Sequence, residues 1–169
     1  MKNLYKIAPL GILTLLLTAT SASAVDPAAL TRLAADNACE HCDLSGADLS
    51  NKMLKGAGLN GANLTNANLN GINLEGAHLV GADLTGAKMV GAKLSNANLS
   101  NAKLVSVDLT DADLSSADVN GTILIKSDVT GASFLEVVLG NFGQYASNTE
   151  CRTTRPNGSL SNQNCRPNE

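Results

Sequence analysis

The chain predicts an all-β fold in which a short repeating unit winds into stacked four-sided coils, covered at the N-terminal end by a short capping α-helix. Three observations predict it. An apolar residue recurs every five positions from Leu44 to Leu139, twenty times, sixteen of them Leu and the others Met89, Val119, Val129 and Phe134. Two residues before it stands a small residue, Ala in thirteen of the twenty units. The two residues after it are mainly Gly, Asn, Ser, Thr and Asp, which favour turns by tolerating positive φ or by bonding their own backbone.

The small residue and the Leu are two apart, so extended chain points both to the same side. Three extended residues and a corner cannot bury their own Leu. Units must wind and windings must stack, with Leu and Ala filling the interior. Charge indicates how many units make one winding. Within residues 43–140 an offset of twenty joins Lys55 with Glu75, Asp83 with Lys103, Lys88 with Asp108 and Lys93 with Asp113, against one like pair, Asp108 with Asp128. Offsets of fifteen and twenty-five each give three opposite pairs to two like ones. Four units per winding and about five windings follow, a rod of ~24 Å at the usual strand spacing.

Residues 1–24 are expected to be a secretory signal peptide. Lys2 and Lys6 precede the apolar run Ile7 to Thr20, and Ala22-Ser23-Ala24 is a small-residue cleavage site. The run is shorter than the roughly 20 residues of a membrane span and contains Pro9 and Gly11, so no membrane attachment is expected after cleavage. The mature chain then begins at Val25. Without Lys2 and Lys6, ten basic residues face fifteen acidic ones, a net charge of −5. Nucleic acid is not an expected partner, because phosphate binding needs clustered Lys and Arg.

Residues 25–38 are expected to form the capping helix, with Asp26 as N-cap, Pro27 at the first helical position and Asn37 as the stop. Leu30, Leu33 and Ala34 share one face, and so short a helix needs a surface to lie on. The open end of the stack is such a surface.

Cys39-Glu40-His41-Cys42 opens the repeat region at 39–141. Its C-x-x-C suits a structural disulfide, a pair of reduced thiols, a redox pair or half a metal site. A redox pair is expected beside a βαβ pattern, which the chain lacks, and zinc would need four ligands where Cys39, Cys42 and His41 offer three. The disulfide is favoured.

Residues 142–169 form a tail in which Cys151 and Cys165 bracket Pro156-Asn157-Gly158, a turn signal. Four Cys allow three pairings. Cys151 with Cys165 and Cys39 with Cys42 is the expected set, because the others would tie opposite ends of the rod together. Closing the tail loop contributes about 3 kcal/mol in the chain-entropy picture.

Several residues depart from the pattern. Lys52 occupies an inward small-residue phase, where an ammonium needs a partner or an exit, so the first winding is expected to distort or Lys52 to reach out of the open end. Ile123, Ile125, Leu135 and Val138 occupy outward positions and form an apolar band on the last winding. Either the tail covers this band or two copies pair through it as a homodimer.

Units such as Ala47-Asp48-Leu49-Ser50-Asn51 and Ala62-Asn63-Leu64-Thr65-Asn66 resemble those of the pentapeptide-repeat proteins. The resemblance covers residues 42–141. It implies a right-handed, quadrilateral parallel β-helix, a solenoid with four units per coil. The signal peptide, capping helix, C-x-x-C and Cys-bounded tail are similar to those of exported members from cyanobacteria and other Gram-negative bacteria. The expected compartment is therefore the periplasm, or the thylakoid lumen if the source is cyanobacterial.

No catalytic residue, cofactor or metal is expected. His78 is an outward repeat position equivalent to Asn73 and Asp83. Asp108, Asp111, Asp113, Asp118 and Asp128 lack the glycine-rich nonapeptide pattern of calcium-binding repeats. The expected function is a non-enzymatic structural or protein-interaction module whose partner is an unidentified envelope protein. Two alternatives stay open. One, implied by the resemblance, is imitation of duplex DNA to bind a DNA-handling protein such as gyrase, which export and the outward Lys88, Lys93, Lys103 and Lys126 disfavour. The other is a thiol-redox role at Cys39 and Cys42.

Overall fold

The computed structural model describes residues 25–138, 144–146, 153–157 and 159–161. The leader, Cys151 and Cys165 lie outside the described residues.

Helix α1 spans Pro27–Asp36. Asp26 caps it in extended conformation, its Oδ1 accepting from Ala28 N–H at 2.9 Å, and Pro27 takes the first turn, where a missing N–H leaves no bond unmade. Asn37 ends it in the left-handed region, its N–H donating to Leu33 O. The buried face is Ala29 and Leu33, with Leu30 partly packed and Ala34 exposed. This shifts the expected face by one position, because the helix rests on the small Ala29 beside Cys39.

From Cys39 onward each unit repeats one set of bonds. The Leu N–H donates to the carbonyl nineteen residues on, as Leu44 to Asn63 and Leu64 to Asp83, both 2.8 Å. The residue before the Leu donates the other way, as Asn63 to Cys42 O at 2.9 Å. Gly46 N–H reaches Thr65 O at 2.8 Å, and Ala47 N–H closes the corner on Leu44 O at 3.1 Å. Residues twenty apart therefore face each other in parallel single bridges, from Ala38 with Gly58 to Asp118 with Val138. That is the offset at which the opposite charges pair.

The expected right-handed quadrilateral parallel β-helix, and the term solenoid with it, is corrected by what the backbone forms. Besides α1, the described residues hold five strands of two or three residues: β1 (Lys103–Val105), β2 (Ile123–Ile125), β3 (Gln144–Ala146), β4 (Thr153–Thr154) and β5 (Leu160–Ser161). β1, β2 and β3 form an open parallel sheet, and β4 and β5 an antiparallel pair. Elsewhere extended pairing lasts a single residue. The unit itself is the reason: a corner residue at positive φ follows every Leu by two, from Gly46 at 67° to Glu136 at 54°, so a ladder breaks before it can lengthen.

Strand appears where the corner chemistry changes. Val105 and Ile125 stand where Ser45, Thr65 and Thr85 stand in earlier windings, and the residues two before them, Lys103 and Ile123, have no side-chain oxygen to accept from that N–H as Asp43, Asn63 and Asp83 do. The corner bond from Val107 N–H is replaced: that N–H donates to Ser127 Oγ at 3.1 Å, and the same hydroxyl donates to Leu104 O at 2.9 Å. The tail extends this region. β3 pairs with β2 with Tyr145 opposite Leu124, Thr154 bridges Ser133, and Glu136 N–H donates to Pro156 O at 3.2 Å.

The core runs the length of the repeat, with Leu and Ala of both inward phases buried from Leu44 to Ala132. Transfer of this much apolar surface from water, at about 25 cal/mol per Å², is the main force holding the windings together. Two inward positions carry hydroxyls instead, Thr122 and Ser127, and both are satisfied by carbonyls, Thr122 Oγ1 by Leu99 O at 2.8 Å.

Candidate functional site

Most outward polar side chains are occupied with their own corner. Oδ1 of Asp43, Asp48, Asn63, Asn73, Asp83, Asn98, Asp108, Asp113, Asp118 and Asp128 each accepts from the N–H two residues on, at 2.9–3.2 Å. Some also bond across windings, Asn63 Nδ2 to Asp43 Oδ1 and Asn68 Nδ2 to Asp48 Oδ1, both 3.0 Å.

These bonds favour the ionised carboxylates. The Ser45 hydroxyl and N–H hold Asp43 below its ordinary range, and those of Ser50, with Asn68 and Lys52, do so for Asp48. Burial pushes Asp83 up, but the Thr85 hydroxyl and N–H and the Lys103 ammonium outweigh it, and the net direction is down.

Of the four opposite-charge pairs, two close among the described residues: Lys55 with Glu75 at 2.9 Å and Lys103 with Asp83 at 3.5 Å. Both are largely exposed and contribute at most about 1 kcal/mol. Lys88 with Asp108 and Lys93 with Asp113 stand in register without an ion pair within 4 Å.

The N-terminal end is the most elaborated part of the surface. Cys39 and Cys42 are joined by a disulfide. Cys39 is fully buried and Cys42 partly so. The Cys39 sulfur touches Ala29 O at 3.3 Å, a packing contact, since a bonded sulfur carries no proton. Arg32 donates to Glu40 O at 3.1 Å, and Asn37 Nδ2 to Lys55 O at 3.0 Å. Between α1 and the first winding lies a cleft of about 330 Å³ lined by Leu30, Leu33, Ala34, Asp48, Leu49, Lys52 and Leu54. Lys52 reaches outward at its mouth near Asp48, and its backbone keeps the regular bonds, Lys52 N–H to Leu49 O and Asn73 N–H to Lys52 O. Beside it Met53 is 75% exposed, at a position where most other units carry Asp or Asn.

The apolar band is divided. Ile123 and Ile125 are half-buried in the sheet beneath β3, whereas Leu135 and Val138 are 39% and 52% exposed. His41 and His78 are exposed. Among the described residues no group of three or more His, Cys, Asp or Glu is placed to hold a metal ion, and no helix is long and apolar enough to cross a membrane. Sequence reasoning missed the N-terminal cleft and the exposed Met53. The signal was present in Met53, the only outward polar-phase position of the first windings filled by a large apolar residue.

The family described as pentapeptide repeats matches residues 38–71, 57–96 and 92–131, in eight copies. Among solved structures the chain is similar to a pentapeptide repeat protein from the Arabidopsis thaliana thylakoid lumen, at 37% identity over 62% of this chain and 70% of that one, with a TM-score of 0.57. It is also similar to the pentapeptide repeat protein Rfr23 from the cyanobacterium Cyanothece 51142, at 25% identity over 76% of this chain and 97% of that one, with a TM-score of 0.55. No curated protein matches significantly. With the family match spanning more than half of its length, the chain belongs to the pentapeptide-repeat family.

Proposed function

We propose that the protein is a non-catalytic interaction module of an exported, oxidising compartment, a periplasm or a thylakoid lumen. The allocation of side chains carries this reading: one oxygen, Oδ1, of each of the outward Asp43, Asp48, Asp83, Asp108, Asp113 and Asp128 is bonded to its own neighbouring backbone. What remains for a partner is surface shape together with the places where the repeat changes. The compartment is supported by the leader sequence, by the Cys39–Cys42 disulfide, which persists where thiols are not kept reduced, and by the likeness to a thylakoid-lumen protein.

Alkylation of free thiols in intact cells, followed by fractionation and mass mapping, tests the compartment. The expected result is an envelope or lumen fraction whose chain begins at Val25 with Cys39 and Cys42 protected. A cytosolic chain with both thiols alkylated overturns it. Crosslinking from that fraction tests the module, and a partner whose capture is lost on substitution of an exposed repeat-breaking residue, such as Met53→Asp, supports it. A second reading, favoured by the exposure of Leu135 and Val138, is that the C-terminal end pairs two copies. A monomer at high concentration in gel filtration excludes it.

A further inference from the structure

We propose that the Cys39–Cys42 disulfide is a redox latch for α1, so that reduction of the bond and release of the helix from the end of the core are one linked event. The two sulfurs sit in unlike places. Cys39 is fully buried within the core and touches Ala29 of α1, while Cys42 is partly accessible. The four-residue loop they close also holds α1 from outside, through the bond from Arg32 to Glu40 O. The helix has little else of its own. It is ten residues long with two buried side chains, Ala29 and Leu33, and a helix of that length is marginal without a surface.

The chemistry then couples to the packing. A thiolate of an external dithiol attacks the accessible Cys42 sulfur, and the bond to Cys39 breaks. Cys39 leaves with the electron pair and must take a proton from water. The second dithiol sulfur resolves the mixed disulfide and frees Cys42, so that two electrons and two protons pass from the dithiol to the pair. A charged sulfur in a dry, fully buried site is costly. The leaving step is therefore fastest when α1 has lifted and water reaches Cys39. Reduction also opens the covalent loop whose Glu40 carbonyl accepts from Arg32, and the freedom this loop regains weakens docking of α1. Lifting the helix opens the cleft lined by Leu33, Leu49 and Leu54, which gives the N-terminal end two surfaces, one for each redox state.

The test uses the purified protein with dithiothreitol as the probe. Samples are quenched by alkylation, and the peptide carrying Cys39 and Cys42 is followed in time. Weakening the dock with Leu33→Ala is expected to speed reduction by at least about tenfold, and Arg32→Ala to speed it by a smaller factor. Val138→Ala, at the far end, leaves the rate unchanged. Full reduction is expected to remove hydrogen-exchange protection across Leu30–Asp36 and to leave that of Leu59–Ala117 intact. Equal reduction rates in the unsubstituted protein and the helix variants, or unchanged protection of α1 after reduction, overturn the proposal. Should Leu33→Ala fail to fold, Arg32→Ala decides alone, since its side chain is exposed. All readouts are taken on the isolated protein, so failure here leaves the compartment and partner readings where they stand.

Discussion

At Asp48 the preference of the repeat for Asp or Asn becomes a bond. Its Oδ1 accepts from Ser50 N–H at 3.1 Å and Ser50 Oγ at 2.7 Å, and Asn68 reaches it from the next winding. The folded state thus holds this carboxyl below its ordinary value, as it does those of Asp43 and Asp83. A carboxylate lowered on folding stabilises the fold above its unfolded value, about 4, and the contribution is lost as pH falls through the lowered folded value. Thermal melts are expected to drop steadily below about pH 4. The drop should be smaller in Asp48→Asn, which keeps the acceptor and cannot titrate. Equal acid slopes in the two proteins would exclude Asp48 as a contributor.

Corner glycines separate two costs at the same scale. Gly71 and Gly76 have φ of 63° and 65°, so Ala at either loses about 1–2 kcal/mol to the left-handed conformation. At Gly71 a Cβ would also stand 2.5 Å from Oδ1 of Asn51 in the winding below, whereas at Gly76 nothing lies within 4 Å. Gly71→Ala is expected to be the more destabilising in urea titration, and Asn51→Gly, which removes the Oδ1 and suits the φ of 57° at that corner, to recover the difference.

Among the elements, β1 and β2 depend on one hydroxyl. Ser127→Ala strands Val107 N–H and removes a donor from Leu104 O, at an expected cost of about 1–3 kcal/mol. Thr122→Ala is the matched control. Leu99 O also accepts from Ala102 N–H, so the loss should stay under about 1 kcal/mol. Chemical denaturation distinguishes the two, and similar costs would remove the special role of Ser127.

For the whole molecule, length comes from repetition and individuality comes from the ends. One end carries α1, the disulfide and Met53, and the other carries Leu135, Val138 and the returning tail. Double substitution Leu135→Lys with Val138→Lys is expected to leave the melting temperature within about 2 °C, since exposed positions away from special features change stability little. Any self-association seen by gel filtration should disappear with it. A large loss of stability would instead assign these residues to covered core.

The inward phases and the offset of twenty were legible in the residues, because a period of five leaves Leu and Ala no other place to go and charge supplies the register. The cap of α1 was legible for a similar reason: Asp26, Pro27 and Asn37 act through their own backbone. The continuation of pairing into the tail was hidden. Ile123 meets Gln144 and Ser133 meets Thr154, an offset of twenty-one rather than twenty, so one inserted residue erases the period while the backbone ladder continues. The expected quadrilateral parallel β-helix also failed, since local turn bonding at each corner competes with ladder extension and prevails among the described repeat units everywhere except at Val105 and Ile125. The sequence by itself determined which side chains are buried and how far apart the paired residues lie, since both follow from periodicity. Only the tertiary structure decided where strand replaces corner, which side of α1 meets Cys39, which of its two expected outcomes Lys52 takes, and that Met53 faces out beside a cleft. Those outcomes depend on contacts between windings, which no single unit contains.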